Sequence, residues 1–169
     1  MKKITLLGTS LLLLLFLFSS YGQAQTYHLS FSGNVFNGNE PSRDFFKAAN
    51  GYLYMPSGNG THVAQVNFPD SANGMGVSRL SVSYLDNNSS DYLLVHLSKV
   101  DRWNGTWTQV ASVSSNGLLN STDIRYLNIP KSQMTGRGID NNRYAWYLVV
   151  YFSGSGNTLR LYNVTVRYE

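Results

Sequence analysis

Residues 143–152 read RYAWYLVVYF, and this stretch decides the fold class. Apolar side chains occupy both alternating sets of positions, since Trp146 and Leu148 are interleaved with Tyr147 and Val149. Because successive side chains of a strand point to opposite faces of a sheet, the pattern predicts a central strand that is covered on both faces. A central strand needs a pairing partner along each edge, so the flanking sequence is expected to supply further strands.

Shorter runs with strand-like patterns lie on either side of this stretch. They predict strands over residues 27–36, 51–55, 62–68, 77–85, 91–100, 106–113, 124–129 and 158–168. Turn signals rich in Asn, Gly and Ser separate them, which is typical of a sandwich or barrel. In the last run the apolar side chains move from odd positions, Leu159 and Leu161, to even positions, Val164 and Val166. This shift predicts a β-bulge near Tyr162–Asn163. Residues 41–49 are the exception, because Pro41 is expected to begin a short helix there.

One face of several predicted strands supplies the expected core. The fold class that follows is all-β: a single antiparallel β-sandwich over residues 25–169, with jelly-roll or Greek-key connections. The core positions are apolar residues that lie on one face of their own strand; they are Leu80, Val82, Leu93, Val95, Leu97, Trp146, Leu148, Val150 and Val164.

The first 24 residues have the layout of a secretory signal peptide. Lys2 and Lys3 precede an apolar stretch over residues 4–18, and Gly22 and Ala24 are the small residues expected before a cleavage site after Ala24 or a residue or two away. The apolar stretch is shorter than the roughly 20 residues that a membrane-spanning helix needs. We therefore expect a secreted, extracytoplasmic mature chain, residues 25–169, with no stable membrane span.

Composition excludes several chemistries. The chain has no cysteine, which removes disulfides, thiolate zinc sites and cysteine nucleophiles. Of its 13 Lys and Arg residues, Lys2 and Lys3 belong to the leader, which leaves 11 basic against 9 acidic residues. The remaining basic residues are dispersed and form no block that would follow a phosphate backbone, so nucleic acid is not an expected partner.

Residues suited to catalysis are scattered along the sequence. Most aspartates lie in turn contexts and no glutamate lies in a predicted strand, which argues against the paired carboxylates of a glycosidase. The three histidines lie in or beside different strands, and neither a G-x-S-x-G elbow nor a phosphate-binding glycine loop is present. We expect no enzyme, no catalytic residue and no cofactor. A structural calcium ion is the one alternative, with oxygen ligands from Asp86-Asn87-Asn88 and Asp91, or from Asp140-Asn141-Asn142.

The strongest binding signal is aromatic and lies in RWNGTW, residues 102–107. A two-residue turn at Asn104-Gly105 would put Arg102 opposite Trp107, with Trp103 and Trp107 on opposite faces. A three-residue loop would instead put Trp103 opposite Trp107, in one aromatic platform that can stack on sugar rings. Asn-Gly favours the two-residue turn, in which the two indoles would be ordinary sheet packing. The three-residue loop would make the hairpin a binding site, and its candidate binding residues are Arg102, Trp103 and Trp107.

Much of the chain resembles a known kind of protein. The run YLDNNSSD at 84–91, the LLVHL strand at 93–97, residues 110–115 and the final residues 157–168 resemble secreted bacterial β-sandwich domains of unassigned function. The resemblance covers residues 52–168. It implies a jelly-roll-like fold and an extracytoplasmic setting, and it carries no catalytic residues.

The sequence favours a binding function over a catalytic one, and two binding functions are considered. The main prediction is a secreted, non-catalytic module for extracellular protein contacts in adhesion, matrix or assembly, because the edge strands of a sandwich offer backbone pairing to a protein or a second copy. The alternative is a carbohydrate-binding module that uses Trp103, Trp107 and surface tyrosines to hold a polysaccharide.

Overall fold

The computed structural model describes residues 25–38, 47–49, 51–56, 58–154, 156 and 158–169. The predicted signal peptide lies outside these residues and stays a prediction, as does the part of the predicted helix over residues 41–46. The remainder of that helix prediction is wrong, because Lys47–Ala49 form a strand that pairs with Tyr52–Tyr54. Within the described part of the chain, no helix is long and apolar enough to cross a bilayer.

Eleven strands make up most of the described chain. In chain order they are β1 Tyr27–Ser32, β2 Asn37–Gly38, β3 Lys47–Ala49, β4 Tyr52–Tyr54, β5 Gly60–Val66, β6 Val77–Asp86, β7 Tyr92–Asp101, β8 Trp107–Ser114, β9 Ser121–Pro130, β10 Tyr144–Ser153 and β11 Leu159–Tyr168. The same described residues include three short 3₁₀ turns, at Gly33–Val35, Asp70–Ala72 and Lys131–Gln133.

The strands form two antiparallel sheets. Sheet A has the order β3-β4-β11-β6-β9, with β1 also paired to β11, and sheet B has the order β2-β5-β10-β7-β8. The chain passes repeatedly from one sheet to the other between β5 and β11, as it does in jelly rolls. The prediction of an all-β antiparallel sandwich is confirmed.

The core lies between the two sheets. All nine core residues predicted from the sequence are buried, with no more than 1% of each exposed. Phe68 and Trp146 meet edge to face with ring centroids 5.3 Å apart. The predicted bulge is confirmed by a shift of register between Leu161 and Asn163, which lets both Leu161 and Val164 face the core despite their different parity.

Strand β10 is central to sheet B, as its sequence predicts, because β5 and β7 pair with its two edges. The expectation that both faces are covered is wrong. Trp146 and Leu148 are buried against sheet A, whereas Tyr147 and Val149 are partly exposed on the other side. A two-layer sandwich buries only one face of each sheet, and no third layer lies over sheet B among the described residues. Burial in the core therefore does not account for the apolar residues on the outer side of β10.

Candidate functional site

The outer face of sheet B, meaning the side turned away from sheet A, is centred on Tyr147, Val149 and Tyr151 of β10. Register places Gln65, Val63 and Thr61 of β5 beside these residues along one edge of β10. Ser98, His96 and Leu94 of β7 lie beside them along the other edge. These nine positions carry no Asp, Glu, Lys or Arg. The face therefore offers apolar and hydroxyl-bearing surface with little fixed charge.

Two aromatic pairs lie on this face. Trp107 is 52% exposed, and its ring stacks on Tyr147 with centroids 6.1 Å apart and planes 18° from parallel. Tyr92 and Tyr151 form the second pair, 6.0 Å apart and tilted by 45°. Tyr147 and Tyr151 are four residues apart on one strand, which separates the two pairs by about 13 Å. We call the Trp107–Tyr147 pair the aromatic platform.

The hairpin between β7 and β8 differs from both registers considered from the sequence. Val100 lies opposite Trp107, and the backbone N–H of Asp101 donates to the carbonyl of Thr106 at 2.9 Å, so the loop has four residues, 102–105. Asn104 accepts a hydrogen bond from the Thr106 N–H at 2.9 Å, and Gly105 has φ 73°. The Asn-Gly pair thus closes a longer loop instead of forming the centre of a two-residue turn.

Trp103 lies at the tip of this loop and is 79% exposed. The Asp101 carboxylate accepts the Trp103 backbone N–H at 2.9 Å and the Arg143 Nε–H at 2.9 Å. These two bonds, the first being the stronger influence, hold the pKa of Asp101 below its usual range. The Arg143 guanidinium lies 5.5 Å from the Trp103 ring. Trp103 therefore contacts Arg143 while Trp107 stacks on Tyr147, and the two indoles are not cross-strand partners.

A polar pocket of about 330 Å³ adjoins the platform. It opens where β5 ends at Val66 while β10 extends on to Tyr144. Gln65 lines the pocket and is the cross-strand neighbour of Tyr147, so the pocket borders the platform. The other polar lining residues include Asn67, Asp70, Arg102, Asn141 and Asn142.

The pocket also has a preformed wall. The Asn141 Nδ2 donates to the carbonyls of Phe68 and Pro69, at 3.0 and 3.2 Å, which ties the segment before β10 to the segment after β5. The buried indole N–H of Trp146, another lining residue, has no hydrogen-bond partner among the described residues. Side-chain amides, a carboxylate and a guanidinium together can both donate to and accept from a hydroxylated ligand.

His96 lies near the middle of the outer face, between Val149 of β10 and Ser112 of β8. Its Nδ1 is buried and, within the described residues, has no hydrogen-bond partner. Burial lowers the pKa of His96. A neutral imidazole is therefore favoured at the centre of this face.

The calcium hypothesis stays a prediction. Asp86 accepts hydrogen bonds from the Ser115 hydroxyl at 2.6 Å and the Asn88 backbone N–H at 3.4 Å, and burial raises its pKa. Asp91 accepts from the Asn88 side-chain amide at 3.0 Å. Across the described ranges, no three His, Asp or Glu side chains converge as a metal site.

Sequence reasoning named Arg102, Trp103 and Trp107 and missed Tyr147, the partner of Trp107. The structure brings Arg102 into the polar pocket and Trp107 onto the platform, and leaves Trp103 at the hairpin tip. A signal for Tyr147 was available: an apolar pattern on both sides of a strand in a two-layer sandwich implies an apolar outer surface.

No protein-family model matches the sequence, and no curated protein matches it. Among solved structures, the chain is similar to the low-affinity xylan-binding module CBM86 from Roseburia intestinalis, at 14% identity and TM-score 0.45, covering 85% of this chain and 96% of that one. It is also similar to the C-terminal CBM6 of the laminarinase LamC from Zobellia galactanivorans, at 10% identity and TM-score 0.48, covering 83% and 98%.

A family two carbohydrate esterase from Cellvibrio japonicus is similar at 10% identity and TM-score 0.45, over 86% of this chain. The chain spans 35% of the length of that esterase. With every TM-score below 0.5, these similarities carry no argument about function.

Proposed function

We propose that this domain is a non-catalytic carbohydrate-binding module that uses the outer face of sheet B. The observation that carries the proposal is the exposed Trp107 ring, stacked nearly parallel on Tyr147 on an otherwise uncharged sheet face. The C–H faces of pyranose rings pack on aromatic rings, and their hydroxyls hydrogen-bond to polar groups at the rim. Aromatic rings with few rotatable bonds make such contacts at low entropic cost.

The polar pocket supports the same function. Its amide side chains, together with Asp70 and Arg102, lie directly beside the platform. A sugar ring stacked on Trp107 would bring its hydroxyls, or those of the next ring, to these donors and acceptors. An apolar surface combined with a polar end favours a saccharide over a purely apolar ligand.

The spacing of the aromatic pairs suggests the form of the ligand. The platform and the Tyr92–Tyr151 pair are about 13 Å apart along β10. A linear oligosaccharide can bridge that distance, whereas a single sugar ring cannot. The absence of Asp, Glu, Lys and Arg from the nine central positions favours a neutral chain. The extracellular setting of such a ligand agrees with the signal peptide expected from the sequence.

Protein contact through an edge strand is the second candidate. Strand β9 forms an edge of sheet A, with Tyr126 70% and Ile124 45% exposed. Asp123 and Arg125 on the same strand place charges along that edge, which disfavours strand addition. The observations on sheet B therefore give the carbohydrate function the stronger support.

Affinity electrophoresis against a panel of neutral soluble polysaccharides, followed by calorimetry with oligosaccharides of increasing length, tests the proposal. Trp107→Ala should weaken binding by about 2 kcal/mol, roughly thirtyfold, because a central Trp is typically an energetic hot spot. Trp107→Phe should retain part of the affinity because it keeps an aromatic face.

Tyr126→Ala is the matched control, since it removes an exposed aromatic ring from the opposite sheet. It should bind like the wild type. Binding of Trp107→Ala with wild-type affinity would contradict the platform. A wild-type protein that binds no member of the panel would contradict the function itself.

A further inference from the structure

Two arginines face each other on the outer side of sheet A. Register places Arg167 of β11 directly opposite Arg79 of β6, and His28 of β1 lies opposite Arg167 on its other side. All three side chains are exposed on the surface turned away from the core. Cross-strand neighbours have Cβ atoms about 5 Å apart, so the two guanidinium groups share one small region of the surface.

The positive charges of Arg79 and Arg167 are poorly neutralised by neighbouring carboxylates. Like charges directly opposite each other destabilise a sheet. Within the described residues, neither Arg79 nor Arg167 has a side-chain hydrogen bond or ion pair to another side chain. The neighbouring carboxylate, Glu169, is hydrogen-bonded to Lys131 at 2.6 Å. That bond is the main cause of the lowered pKa of Glu169, and Arg167 contributes less.

A shallow pocket of about 290 Å³ lies between the two arginines and β1. Its lining combines two arginines and a histidine with three hydroxyl-bearing side chains: Thr26, His28, Arg79, Ser81, Thr165 and Arg167. The Thr165 hydroxyl accepts a hydrogen bond from the Asn163 side-chain amide at 2.9 Å, so its own hydrogen can be donated elsewhere. The surface therefore offers two forked donors and at least one hydroxyl donor.

We propose that this pocket binds a single sulfate or phosphate group between Arg79 and Arg167. Planar guanidinium groups donate pairs of hydrogen bonds to such oxyanions, and a doubly charged anion would remove the repulsion between the two cations. The site is separate from the outer face of sheet B and does not depend on the carbohydrate proposal.

The surroundings favour one anion over a polyanionic strand. Lys131 is paired with Glu169, and Arg137 directs one guanidinium nitrogen to the Val77 carbonyl at 3.4 Å. Because Lys131 and Arg137 already have hydrogen-bond partners, they do not extend the Arg79–Arg167 pair into a row of cations that could bind successive phosphates. The group that binds is therefore either a free ion or an ester on a small molecule or saccharide.

Titration followed by amide chemical shifts tests the site with three probes: sodium sulfate, sodium phosphate and glucose 6-sulfate, all at constant ionic strength set with chloride. We expect saturable shifts at the amides of Ser81 and Thr165. Arg79→Gln and Arg167→Gln should each weaken binding about tenfold or more, because each removes charged hydrogen bonds to the anion. Arg160→Gln is the control, since it removes the same charge from the same strand but lies outside the pocket.

The outcomes are distinct. Saturation by all three probes supports a site for the oxyanion group, and saturation by the inorganic ions alone supports a site for a free ion. Equal affinity of the wild type, Arg79→Gln and Arg167→Gln, or a linear, non-saturating response, overturns the proposal. Arg79→Lys keeps the charge without the fork and should bind with intermediate affinity, which covers the case in which a Gln variant folds poorly.

Discussion

The two outer faces of this sandwich have opposite chemistry. The outer face of sheet B combines the Trp107–Tyr147 platform with apolar and uncharged polar neighbours. The outer face of sheet A places Arg79 against Arg167, with Ser81 and Thr165 at the next outward positions. The faces that meet in the core are similarly apolar, so the demands of folding do not explain the difference. The residues that each sheet presents to solvent can therefore reflect binding functions instead of the requirements of the core.

The largest expected effect is on the stability of the fold, because unfolding would abolish the binding surfaces of both sheets. Leu148 of β10 is fully buried between the sheets, so Leu148→Ala should lower the free energy of unfolding by about 2–5 kcal/mol through lost burial and a cavity. Chemical denaturation measures this change. Loss of less than about 1 kcal/mol would mean that the space between the sheets can collapse around the smaller side chain.

Two substitutions, one on each face, test whether the two outer faces bind their ligands independently. Trp107→Ala should weaken oligosaccharide binding strongly and leave sulfate binding unchanged, whereas Arg79→Gln should do the reverse. Calorimetry of both variants with both ligands measures the four values. If one substitution weakened both interactions, the two faces would form a single coupled site, and their proposed independence would be wrong.

The smallest expected effect is a pH dependence that belongs to sheet B. Burial lowers the pKa of His96 from the usual 6.5, so the unfolded state binds a proton at higher pH than the folded state does. Stability should therefore fall as the pH drops from about 7 toward about 5.5. His96→Gln should show a weaker dependence in thermal melts over that range. An identical pH dependence in the two proteins would remove His96 as the cause.

Much of the fold could be predicted because strands alternate their side chains. The parity of residues 143–152 identified a central strand, and the parity change near Tyr162 identified the bulge. The end of the helix expected over residues 41–49 was a weaker inference, because proline at a helix start is a local preference that carries no information about strand pairing at residues 47–49. Lys47–Ala49 pair with β4 instead.

The sites could be predicted only in part. Trp107 is recognisable from local sequence, but its partner Tyr147 is forty residues away and is brought to it by pairing between strands. The Arg79–Arg167 pair has no local signature, because a dispersed set of charges shows no cluster until register is known. The hairpin loop was misjudged since the Asp101 and Asn104 side chains stabilise a four-residue turn that a rule based on Asn-Gly alone omits.

Mapping amide chemical shifts during titration with a neutral oligosaccharide tests the central claim most directly. The proposal predicts saturable shifts concentrated at Gln65, Ser98, Trp107, Tyr147 and Val149 on the outer face of sheet B. It also predicts loss of those shifts in Trp107→Ala. Shifts confined to the outer face of sheet A or to the β9 edge, with none around Trp107, would contradict the account.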